Sequence, residues 1–193
     1  MVIPVLNDAT QIPHCLDRLV GQSAIAEIVV VDRGSADDTA WMVRVYTAFT
    51  ETVRLVTAPG ADPGQARDIG FDTATADIIS HLDVCAMVAP DWSRTIARHM
   101  SEHPEASALI GIEACRTHRA IETTGPDDAV VQCPSQFDEK SGQAPGSNLA
   151  LRRSVWLEVR TEAMAATSSG SDLDLALHLT KGGRRIDRPF FVR

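Results

Sequence analysis

The chain has 193 residues, 44% of them hydrophobic and 23% charged, with a formal net charge of −8. That length is enough for one domain with a full core, and the composition is that of an ordinary globular protein. The acidic balance excludes a general nucleic-acid binder, because phosphate binding needs a basic surface. The four cysteines, Cys15, Cys85, Cys115 and Cys133, form no CxxC pair and match no common zinc spacing. They read as reduced, separate thiols of a cytoplasmic protein. The longest apolar runs, such as IVVV, are too short for a transmembrane segment, and no basic stretch marks a signal peptide.

In chain order, VIPV (Val2 to Val5) predicts a short buried strand, with Asn7 and Asp8 following as turn and cap residues. Apolar residues at Ile12, Cys15, Leu16, Leu19 and Val20 have helical spacing. EIVVVD, ending at Asp32, is apolar on both faces, as a central parallel strand should be. Ser35 and Asp38 suit a helix N-cap, and that helix runs through Trp41, Met42, Val45 and Tyr46. VRLVTA is a third strand, PGADPG a loop and QARDIGFDTATA a helix. DIISHLD is a fourth strand ending at Asp83, DWSRTIARHMSEH a helix and ASALIGIEA a fifth strand.

This β-α-β alternation predicts one domain over residues 1–193, an α/β fold with a mostly parallel, Rossmann-like sheet and helices on both faces. In such sheets ligands bind at the carboxyl ends of the strands, where Asp32 and Asp83 both fall. From Cys115 to Gly146 the pattern weakens into a polar stretch, with some strand expected near AVVQC. NLALRRSVWLEV and a final helix, DLDLALHLTKGG, close the chain, with Gly182 and Gly183 placed to cap that helix.

Each candidate residue also has a plain structural reading. Asp83 is a strand-tip carboxylate for a cation or ribose, or a turn acid. Cys85 is a small packing residue, or a soft ligand better suited to zinc than to magnesium. His81 and Asp83 resemble a ligand pair, yet no HExxH or His-Cys cluster is present. Arg67, among Gly60, Gly64 and Gly70, has the chemistry to clamp a phosphate, though the glycine spacing is that of no nucleotide loop. Asp172 and Asp174 open the last helix, where acids favour the dipole.

Taken in order, these pieces resemble the family 2 glycosyltransferases of the inverting GT-A type. VIPVLND, CLDRLVGQS, EIVVVDRGSADDT, GQARDIGFDTATADIISHLD, APDW, PGSNLALRRSVWLEV and SDLDLALHLTKGGRRI are each similar to a family segment. The likeness runs from Val2 to about Ile186. It implies a nucleotide-sugar donor at the strand tips, an unknown hydroxyl acceptor and a divalent cation, Mn or Mg. Asp83 and Cys85 occupy the family's metal-binding DxD, and Asp172 occupies the position of the general base. The matching motifs imply substrate-binding roles for Pro4, Asn7, Asp32, Arg67, Asp83, Asn148 and Arg152. Because many relatives act on lipid-linked acceptors, the resemblance leaves peripheral membrane association open.

The chain departs from the family pattern at several positions. Cys85 replaces the second DxD acid, Arg33 the second acid of DDGS, and Asp68 the Asn of ARN. Ser171 replaces the Glu of ED, His178 a usual Arg, and the GGF segment is absent. These changes keep open a second reading, a GT-A-like binding or scaffold protein without catalysis. A nucleotidyltransferase on a related sheet would want a Gly-rich, Lys-bearing loop after the first strand, which VLNDATQ lacks.

Overall fold

The computed structural model describes residues 1–86, 88–110, 148–166 and 172–187. Among the described residues, seven strands form one sheet in the order β3-β2-β1-β4-β6-β5-β7. The first four are β1 (Val2–Val5), β2 (Ile28–Asp32), β3 (Val53–Thr57) and β4 (Ile78–Leu82). They run parallel and are joined by α1 (Ile12–Leu19), α2 (Thr39–Phe49) and α3 (Pro63–Thr73). After α4 (Trp92–Glu102) come β5 (Ala108–Ile110), β6 (Asn148–Arg152), α5 (Arg153–Ala166), α6 (Asp172–Lys181) and β7 (Ile186–Asp187). The expected strand near AVVQC, and the end of the expected fifth strand, lie outside the described residues.

Strand alternation sorts the core into two layers. Val2, Val29 and Val31 point to one face, where Phe71 of α3, Trp156 of α5 and Leu175 and Leu179 of α6 meet them. Ile3, Val5, Ile28 and Val30 point to the other, against Ile12, Leu16 and Leu19 of α1, Val43 of α2 and Trp92 of α4. All five residues of β2 are buried, which is why that strand has no polar face in the sequence.

Local chemistry sets several ends. α3 begins at Pro63, two residues before the expected Gln65, because Asp62 and Gln65 form a reciprocal capping box. Gly70 of α3 lies so close to β1 that a Cβ there would meet Val2 Cγ1 at 2.2 Å. α6 ends as expected at Gly182 and Gly183. Gly183 has φ 73°, and the Arg184 N–H donates back to the Leu179 carbonyl at 3.0 Å.

The expected fifth strand, β5, does not pair with β4. β6 inserts between β4 and β5, antiparallel to both. The expected helix through Trp41, Met42, Val45 and Tyr46 forms as α2. Val43 and Thr39 are its buried residues, and Trp41 faces outward.

Candidate active site

Register brings the strand tips to one level. Val5 of β1 pairs with Asp32 of β2, and Asp32 pairs with Thr57 of β3. Val2 pairs with His81, so the same register carried forward sets Asp83 level with Pro4. The antiparallel β6 starts opposite the end of β4, with Asn148 paired to Leu82. The carboxyl edge therefore gathers Asn7, Asp8, Asp32, Asp83 and Asn148 from four different elements of the chain. Pro4 lies inside β1, one residue short of its end, and is half-buried.

The loops at this edge are stitched by side chains. Asn7 adopts a left-handed conformation, φ 58°, which Asn tolerates better than most residues. Its N–H donates to Ser35 Oγ at 2.9 Å, and its Oδ1 accepts from the Ala36 N–H at 2.8 Å. Ser35 in turn donates through its N–H and hydroxyl to Asp32 Oδ1, at 3.0 and 2.6 Å. The Asp8 N–H donates to Thr39 Oγ1, and the Ala9 N–H to Asp37 Oδ2. Ser35, expected as a helix cap, instead holds the buried Asp32 in place.

The electrostatics show what the sequence reading missed. Burial raises the Asp8 carboxyl, the Leu6 N–H lowers it, and repulsion from Asp37 and Asp83 raises it again against Arg33. Asp8 and Asp83 thus feel one another although 75 positions separate them in the chain. The Thr39 hydroxyl, with backbone N–H donors, holds the Asp37 carboxyl down. Asp8 and Asp37 look like ordinary turn and cap acids in the sequence. The available signal was their position just after predicted strand ends.

The other candidates separate. Arg67 is 1% exposed and forks onto Asp68, with Nε and Nη2 at 3.0 and 2.8 Å from Oδ1. Its guanidinium also lies 6.0 Å from the Phe71 ring centre. It is thus held beneath the surface, its fork engaged by Asp68. The reading of Arg152 is corrected. β6 runs away from the tips, and four residues at about 3.4 Å each put Arg152 roughly 14 Å from Asn148. Its Nε donates to the Ala106 carbonyl at 2.9 Å and its Nη2 to Met100 and His103 at 2.7 and 3.0 Å. Arg152 ties β6 to the end of α4 and does not reach the tips.

The metal-ligand reading changes at Cys85, which is disulfide-bonded rather than a separate thiol. A disulfide sulfur has no thiolate to offer, so Cys85 is not a ligand in this state. His81 Nε2 stands 3.9 Å from Asp83 Oδ1, with His81 nearly buried and the Asp83 side chain 41% exposed. Among the described residues no three His, Cys, Asp or Glu side chains form a ready-made metal cage. The oxygen donors at the tips suit a hard cation, and Mg²⁺ or Mn²⁺ sites complete themselves with substrate phosphates and water. Asp172 is the first residue of α6.

A twisted, mostly parallel sheet with an antiparallel strand beside β4, and acids at the carboxyl edge, defines a GT-A fold. The fold agrees with solved structures. The mannosyltransferase PcManGT from Pyrobaculum calidifontis, in complex with GDP-Man and Mn²⁺, superposes with a TM-score of 0.68 at 20% identity. That likeness covers 97% of this chain and 53% of the other. TarS residues 1–349 of S. aureus, in complex with UDP-GlcNAc, gives 0.66 at 16% identity, covering 97% and 54%. The sequence model of Glycosyl transferase family 2 matches residues 1–167, and the chain belongs to that family. A PGL/p-HBAD biosynthesis glycosyltransferase of Mycobacterium bovis is 30% identical over 115 residues, 58% of this chain and 44% of the relative. Glycosyltransferase YibD of Escherichia coli is 27% identical over 97 residues, 50% of this chain and 28% of its own. The chain thus spans less than half the length of these two curated relatives.

Proposed function

We propose that this chain transfers a sugar, with inversion, from a nucleotide-diphosphate sugar to a hydroxyl acceptor. The observation that carries this reading is the gathering of Asp8, Asp32, Asp83 and Asn148 at the carboxyl edge of a family 2 fold. Asp32, anchored by Ser35, and Asn7 line the nucleoside end of the donor. Asn148, beside Leu82, faces the sugar-bearing end. Asp83 holds the cation, with Asp8 adding negative charge nearby. When bound, Mn²⁺ or Mg²⁺ supplies charge stabilisation for the departing nucleoside diphosphate. Asp172 takes the proton from the acceptor hydroxyl as that oxygen attacks the anomeric carbon. Arg67, clamped on Asp68, stiffens α3 behind the donor rather than touching it. Peripheral association with a membrane that carries the acceptor belongs to the same reading.

Calorimetric titration of UDP and GDP, with and without Mn²⁺, tests this. Binding that strengthens with Mn²⁺ in the wild type, and loses that dependence in Asp83→Asn, is the expected result. No binding of either nucleotide would favour the rival reading, a GT-A-fold binding protein without catalysis. The disulfide at Cys85 is the observation on that side.

A further inference from the structure

The outer face of α2 carries the two most exposed large apolar side chains among the described residues. Phe49 is 85% exposed and Trp41 58%. With Val45 between them, they recur every four residues and share one stripe of the helix. The packing of α2 uses the other side. Val43 points into the core, Met42 and Tyr46 pack against its margin, and the Tyr46 hydroxyl reaches the Pro13 carbonyl at 3.1 Å. Val45 stands two residues, about 200° of helical turn, from Val43. Trp41 and Phe49 therefore face outward, with Val45 half-buried between them. Between Thr39 and Phe49 there is no acid, and Arg44 is the single charged residue, in a chain of net charge −8.

We propose that the Trp41–Val45–Phe49 stripe is a docking surface for a lipid bilayer of low surface charge. Size argues for that occupant over a second copy of the chain. A fully buried Trp or Phe removes about 150–250 Å² from water. At the observed exposures the pair offers roughly 300 Å², whereas a standard protein interface takes about 800 Å² from each partner. Two aromatic anchors suffice for partial entry into the headgroup boundary, where Trp is favoured. The acid-free stretch lets the helix approach that boundary without stripping water from a carboxylate on its face. The net charge makes a zwitterionic surface the partner, because an anionic one repels the rest of the chain. This surface deepens the peripheral membrane association of the proposed function, and its geometry is independent of sugar transfer.

Co-sedimentation with phosphatidylcholine vesicles and tryptophan emission test the proposal together. Trp92 and Trp156, the other two tryptophans, are buried, so a shift on adding vesicles reports Trp41. The wild type is expected to sediment with the vesicles and its emission to move to the blue. The double variant Trp41→Ser, Phe49→Ser is expected to partition roughly tenfold more weakly, or less. Both positions are exposed, so its melting temperature should match the wild type. Three results would overturn the proposal: no wild-type binding and no emission shift, undiminished binding of the double variant, or a concentration-dependent dimer that Phe49→Ser abolishes. UDP and GDP titrations are expected to be identical in both proteins. Their absence in both would count against the sugar-transfer reading and leave the vesicle result standing.

Discussion

Glu27 and Asp8 lie at opposite edges of the same sheet, and their carboxyls move in opposite directions. Glu27 precedes β2 at the amino edge. Its Oε1 accepts from the Thr75 N–H, the Thr75 hydroxyl and the Ala76 N–H at 2.5, 2.8 and 2.9 Å, while Oε2 faces Arg54 at 3.2 Å. Burial by itself would raise this carboxyl, but the donors outweigh it and hold it below the ordinary range. Asp8, at the carboxyl edge, is pushed up by burial, with Asp37 and Asp83 adding repulsion. A carboxylate surrounded by donors is a rivet between segments. Carboxylates set near one another raise each other's pKa, and under the proposed function a bound cation would relieve that repulsion.

The contrast can be tested by variants at each edge, beginning with the largest effect. Asp172→Asn is expected to lower turnover by about 10²–10⁴-fold while leaving UDP or GDP affinity unchanged. Steady-state rates and calorimetry on one preparation check this, and unchanged turnover would remove the base assignment. At the amino edge, Glu27→Gln is expected to cost about 1–3 kcal/mol at neutral pH, since the amide nitrogen then faces either the Thr75 and Ala76 donors or Arg54. A lowered folded pKa stabilises fully above the unfolded value, about 4.3, and loses that contribution as pH falls through the lower folded value. Urea melts should therefore separate the two proteins at pH 7 and bring them together in acid.

Arg152→Met probes the same edge from the other side. It strands the carbonyls of Met100, His103 and Ala106, and about 1–2 kcal/mol of stability should be lost with no change in nucleotide binding. Weakened binding at full stability would return Arg152 to the site. The smallest effect is expected from Asp8→Asn, a gain below about 1 kcal/mol at pH 7. A raised folded pKa makes the charged form costly above that pKa. The gain should vanish as pH falls below the unfolded value, about 3.9. A loss of stability at pH 7 would show that Asp8 acts as a cap and that neighbouring charge matters little there.

Much of the fold was legible along the chain. β1 and the buried face of α1 fall where apolar spacing puts them, and β2 ends at Asp32 as expected. Gly183 closes α6 because a left-handed residue costs least without a Cβ. These features depend on contacts within a few residues, so local pattern is enough. The ends of β2 and β4 were legible too, since their apolar runs stop at Asp32 and just before Asp83.

Other features required the chain to close on itself. β6 inserts antiparallel beside β4, which brings Asn148 to the tips and carries Arg152 away, although only three residues lie between them. No local propensity encodes a strand's direction relative to partners dozens of positions distant. The rotation of α2 is of the same kind. Trp41 and Val43 are both apolar, and only the fit against β2 and α1 selects Val43 for the core. The coupling of Asp8 to Asp83 is likewise a matter of distance in space, because charge acts through the folded medium and not along the sequence. Periodicity and capping thus set the elements, and the ordered motifs carried the family likeness, while register and packing decided which side chains gather at the strand tips and which stay exposed.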